Sequence, residues 1–81
     1  MNQEIIKELD KILPVVVRVH GEHHPELRQV AALYTQMKEA PSAAVAAQLR
    51  EVTGGFAVPA DACPTFRKTY ADLEALAGEV K

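Results

Sequence analysis

The chain predicts an all-α fold, a small four-helix bundle of short helices paired as two helical hairpins. Three observations carry that expectation. Apolar residues recur at spacings of three and four in four separate stretches, the period of one helix face. No stretch alternates apolar with polar residues as a half-buried strand does. The breaks between the periodic stretches coincide with "HGEHHP", "EAPS" and "GGFAVPADACP", where glycine and proline interrupt regular structure.

In the first helix, Gln3 to Val19, the expected stripe is Ile5, Leu9, Ile12, Val16 and Val19, widened by Ile6, Leu13 and Val17. Pro14 lies inside it with no N–H to give, so a kink near Asp10 to Leu13 or a late start is expected. Gly21 offers the left-handed stop that helices favour just past their last turn. Pro25 suits the first position of a second helix, and Glu26 meets the positive end of its dipole. Leu27, Val30, Tyr34 and Met37 form that helix's buried stripe, with Ala31 and Leu33 at its margins.

Ser42 is the expected N-cap of a third helix, Ala43 to about Thr53, whose apolar side is Val45, Leu49 and Val52. Gly54 and Gly55 stop it. Asp61 is placed to cap a fourth helix with Pro64 in its first turn, burying Phe66, Tyr70, Leu73, Ala77 and Val80. Asp72, Glu74, Glu79 and Glu51 are expected on a solvated face.

At 81 residues the chain is a single domain, 1–81, in the size range where one core leaves little surplus stability. A net charge of -2 argues against a nucleic-acid binder working through a broad basic surface. Met1 to Leu13 carries Glu4, Glu8 and Asp10, unlike a secretory leader, and no segment is long enough to span a bilayer. The one cysteine, Cys63, cannot form a disulfide within the chain. A cytoplasmic location is the expectation.

The three histidines, His20, His23 and His24, fall within five positions beside Glu22 and Glu26. Imidazole and carboxylate suit iron or zinc, so these three are the candidate metal ligands. The competing reading makes them polar residues of a tight helix–helix turn, since Gly21 separates the only pair at helical spacing, His20 and His24. Cys63 is readable as a thiol activated at a helix N-terminus or as a small buried apolar residue, with no histidine near it in sequence. Tyr34 and Tyr70 fall on apolar stripes and read as core residues with wet hydroxyl tips. No phosphate loop, Ser-His-Asp order or zinc-finger spacing is present, so no catalytic role is expected.

Two stretches resemble one family. "VVRVHGEHHPEL", Val16 to Leu27, and "LREVTGGFAVPADACPTFRKTYADL", Leu49 to Leu73, are similar to the two inter-helix junctions of the hemerythrin-like di-iron proteins that repair iron-sulfur clusters after nitric oxide or oxidative damage. The resemblance implies a four-helix bundle. It also implies what this chain lacks. Full members carry a histidine with a glutamate four residues on, late in the second and fourth helices, and further histidines on the first and third. Here the chain turns at Lys38 to Ser42 and stops at Lys81, and His20 and His24 match corner positions of the family, not its ligand positions. The implied protein is a shortened, non-catalytic relative without a cofactor, acting through protein contacts as a homodimer or with another helical protein, dimerisation completing its core. Metal binding through the histidine cluster is the alternative.

Overall fold

Asn2 starts the first helix: its Oδ1 accepts from the backbone N–H groups of Glu4 at 2.9 Å and Ile5 at 3.2 Å, two donors that otherwise have no partner. The computed structural model describes residues 2–80, folded as four helices with no strand among the described residues. They are α1, Gln3–His20; α2, Glu26–Glu39; α3, Ala43–Val52; and α4, Pro64–Glu79. Each packs on two neighbours, α1 on α2 and α4, and α3 on α2 and α4. The α1–α2 and α3–α4 connections therefore share one end. At the other end the backbone N–H of Asn2 donates to Glu79 Oε1 at 3.0 Å, tying the start of α1 to the end of α4.

Local chemistry explains each boundary. α1 starts at Gln3 and runs through Pro14, so the late start is not what Pro14 causes. Ala40 leaves helical geometry, φ -148°, because Pro41 disfavours the α region in the residue before it. Ser42 caps α3 as expected, its Oγ accepting from Val45 N–H at 3.1 Å. After α3, Gly54, Gly55 and Phe56 all take positive φ, 63°, 78° and 62°. For Phe56 that conformation is uncommon. It is held there by burial of the ring and by Thr53 Oγ1, which accepts from the Phe56 N–H at 2.9 Å while donating to the Leu49 carbonyl at 2.7 Å.

The core is one cluster drawn from all four helices, with Leu9, Leu27, Val30, Met37, Leu49, Phe66 and Leu73 fully buried. Four expectations need correction. In α1 the buried row is Leu9, Leu13 and Val16, followed by the half-buried His20; Val19 is 59 % exposed because the inward position of the last turn goes to His20, whose ring packs on Phe66. Gly21 is right-handed, φ -61°, and its need for glycine is steric: a Cβ would lie 2.3 Å from the Val17 carbonyl oxygen. Cys63, not Asp61, caps α4, its Sγ accepting from Phe66 N–H at 3.4 Å. Asp72 is buried instead of solvated, since α4 is covered by both α1 and α3; Lys68, one turn earlier, donates to its Oδ1, and its Oδ2 has no partner among the described residues.

Candidate functional site

Two regions concentrate the chemistry. The first is the end where the two corners meet. Because α1 neighbours α4, the last residue of α1 faces the cap of α4, and His20 Nε2 lies 3.3 Å from Cys63 Sγ. One turn of chain further, His24 Nε2 donates to the Asp61 carboxylate, 3.1 Å from Oδ1 and 3.2 Å from Oδ2, while its Nδ1 is 3.5 Å from Glu26 Oε2. The hydrogen bond from His24 holds the Asp61 carboxyl below its ordinary value. Both imidazoles stand edge-on to Phe66, centroids 5.0 Å and 5.6 Å away, and Phe66 stacks in the same manner on Tyr70 at 5.0 Å. Burial, and then the charge of Glu26, pushes the Tyr70 hydroxyl up to about 12.

Of the three candidate metal ligands, the structure brings His20 and His24 onto the Phe66 ring and leaves His23 exposed in the turn. Among the described residues no group of three or more histidine, cysteine, aspartate or glutamate side chains is placed to hold a metal ion. A bundle di-iron centre is built from inward carboxylates and histidines on facing helices. Here α3 and α4 carry no histidine, and the inward positions are Leu9, Leu27, Met37, Leu49 and Leu73. The residues do not fit such a centre.

The second region is the outer side of α1. From Ile12 to Val19 the helix carries one charge, Arg18, and is apolar round most of its circumference. A helix of that kind is normally enclosed. This one packs chiefly on α2 and α4, leaving Pro14, Val15 and Val19 exposed, Val15 by 40 %. Beside them an open groove of about 510 Å³ lies between α1 and α2, floored by Leu9, Leu13, Val17 and Ala31. Its far rim is a hydrogen-bonded set. The Tyr34 hydroxyl donates to Asp10 Oδ1 at 2.7 Å, and Lys38 Nζ donates to the same oxygen at 2.8 Å while lying 4.7 Å from the Tyr34 ring centroid. Lys38, then Tyr34, keep the Asp10 carboxyl low. Burial, then the bond to Asp10, drives the Tyr34 hydroxyl well up. The expected wet tip of Tyr34 is thus a paired one.

Sequence reasoning missed the His20–Cys63 and His24–Asp61 contacts, 43 and 37 residues apart. The signal was present: two helical hairpins side by side put their corners at one end, and adjacency of the first and last helices then sets His20 beside the start of α4. No family model matches the chain, and no curated protein or solved structure is found to be similar to it. No helix among the described residues is long and apolar enough to cross a membrane.

Proposed function

We propose that this chain is a helical-bundle protein related to the hemerythrin-like iron-sulfur cluster repair and nitric-oxide stress proteins, and that it acts through protein contacts without catalysing a reaction. The observation that carries this reading is the uncovered apolar side of α1, where Pro14, Val15 and Val19 lie open beside the α1–α2 groove. Apolar surface gathered on one face of a small domain marks an interaction site, whereas single apolar residues scattered over a surface do not. The bundle with both corners at one end supports the relationship, and the apolar filling of its core supports a role that does not use a di-iron centre. The test is iron and zinc per chain after purification from metal-replete medium. Substoichiometric metal is expected; a stoichiometric di-iron centre overturns the reading.

The second reading is metal handling at the corner in an iron-related stress role, favoured by the 3.3 Å approach of His20 Nε2 to Cys63 Sγ, two donors that suit zinc or iron. Titration with zinc or ferrous ion then gives one equivalent bound, lost in the His20→Ala and His24→Ala variants while their helical content stays intact. Uptake unchanged in both variants removes this site.

A further inference from the structure

We infer that Cys63 and His20 form a nucleophile–base pair at the corner, and that the pair makes Cys63 a site of reversible modification by a low-molecular-weight disulfide. The site is separate from the α1 face on which the functional reading rests. In the sequence the cysteine has no histidine near it. The fold supplies one from 43 residues away, with His20 Nε2 at 3.3 Å from Cys63 Sγ. A side-chain base within hydrogen-bond reach of a thiol, and itself oriented by a third group, is the arrangement that activates a nucleophile. The third group here is Phe66, fully buried, whose ring meets the His20 imidazole edge-on at 5.0 Å.

The surroundings of Sγ assist attack. Thiolate is the attacking species, so the S–H proton has to leave. With its own proton on Nδ1, the neutral imidazole presents its Nε2 lone pair to that S–H. Sγ also accepts from the Phe66 N–H at 3.4 Å and caps α4, a helix of 16 residues. A backbone donor and the positive end of the helix dipole thus face the charge that grows on sulfur. Access is partial: Cys63 and His20 are each half-buried, while Asp61 and Pro64 beside the thiol are exposed. A small disulfide reaches Sγ there, and one embedded in a protein surface is hindered.

The exchange balances with the disulfide as its only oxidant. Cys63 Sγ passes its proton to His20 Nε2 and attacks one sulfur of the disulfide; a new S–S bond forms as the old one breaks. The leaving thiolate takes the proton from the imidazolium and departs as a thiol. Cys63 is left as a mixed disulfide. It is the only cysteine of the chain, so no second thiol in the molecule displaces the adduct, and an added small thiol reverses the step. A contact made within the molecule withdraws both groups from ligand binding, and for a thiol the same contact supplies the base.

The test is the rate at which the uncharged disulfide of mercaptoethanol adds to the intact chain at neutral pH, followed by mass spectrometry with EDTA present so that no metal holds the thiol. The folded wild type is expected to react about tenfold faster than the same chain unfolded in urea. Burial alone slows the folded chain, so the faster rate cannot arise from exposure. His20→Gln keeps a polar side chain without a base, and brings the folded rate down to that of the unfolded chain or below, with helical ellipticity unchanged. In His20→Ala, free imidazole restores part of the lost rate. Dithiothreitol returns the modified wild type to its parent mass. A folded rate equal to or below the unfolded one overturns the inference, and that comparison stands whether or not either variant folds. Fast reaction that persists undiminished in a folded His20→Gln overturns it as well. Neither result bears on metal content or on the α1 face, which decide the functional reading.

Discussion

The corner end and the outer side of α1 are built from the same short chain and treat their side chains in opposite ways. At the corner, polar groups are matched within the molecule: His20 faces Cys63, and His24 lies between Asp61 and Glu26, all against the buried ring of Phe66. On α1 the charges of Lys7, Lys11 and Arg18 are in no ion pair among the described residues, and Val15 and Val19 are open. A cluster whose hydrogen bonds are already made has little left to offer a ligand. An apolar face with unmatched charges on its rim has both a driving force and a means of choosing its partner. The histidines draw the eye in the sequence, yet the structure packs His20 and His24 against Phe66, leaves His23 exposed, and puts the open apolar face on a helix with no unusual residue.

The sharpest way to break this contrast is to compare one substitution from each region. Phe66 is fully buried and supports both imidazoles and Tyr70, so Phe66→Ala is expected to cost about 3–5 kcal/mol. A domain of this length holds on the order of 4–12 kcal/mol in total, so the variant sits near the edge of folding. Val15→Asp replaces an exposed residue by one of similar helix propensity and is expected to change the stability of the monomer by about 0.5 kcal/mol or less. Urea unfolding midpoints at low protein concentration check both. Equal costs would mean that the α1 face is part of the core in solution.

Gly21 tests why the corner is so tight. Its φ of -61° suits any residue, so a purely conformational view permits alanine without cost. The steric view does not, because the added Cβ would stand 2.3 Å from the Val17 carbonyl oxygen and the backbone would have to move. Gly21→Ala is expected to cost about 1–3 kcal/mol, read from the same midpoints.

The same residue marks what the sequence makes legible. Helix number, order and most boundaries follow from spacing and from Ser42, Pro41 and the Gly54–Gly55 pair, because these effects are local. The stripe of α2 is correct throughout: Leu27, Val30, Tyr34 and Met37 are all buried. Errors arise where a neighbouring helix decides the outcome. Val19 yields to His20 because of Phe66, Asp61 yields to Cys63 at the cap because His24 claims its carboxylate, and Asp72 is covered because α1 and α3 close over it. None of these can be read from one helix at a time. The open face of α1 is visible in "ILPVVVRV" only once it is known that α1 packs chiefly on α2 and α4.

The two tyrosines, the only ones in the chain, report one region each. Tyr70 stacks on Phe66 at the corner, and Tyr34 lies at the rim of the α1–α2 groove. Both hydroxyls are raised above their ordinary 10.0, Tyr70 to about 12, chiefly by burial. A raised value favours the neutral form in the folded chain, so its contribution is complete below pH 10 and is lost as pH climbs through the folded value. Phenolate absorbance should therefore rise together with loss of helical ellipticity in this alkaline range. In Tyr34→Phe the remaining signal follows the corner; in Tyr70→Phe it follows the groove. A phenolate signal near pH 10 with helicity intact would show that region to be open in solution.

The smallest expected effect is acidic, and it separates charge from packing at the corner. Asp61 is held below its ordinary 3.8 mainly by the hydrogen bond from His24. A lowered carboxylate value contributes stability that is present above the unfolded value, near pH 4, and disappears as pH falls through the folded one. Asp61→Asn keeps the side chain's shape and removes the ionisable group. At neutral pH the variant should be slightly less stable than the wild type, by a small margin because the carboxylate is exposed and screened. Below the folded value of Asp61 the two should converge, since a protonated carboxyl and an amide then meet His24 on similar terms. A difference that persists undiminished into acid would mean that Asp61 matters through loop shape, and that the pairing of the two corners is not electrostatic.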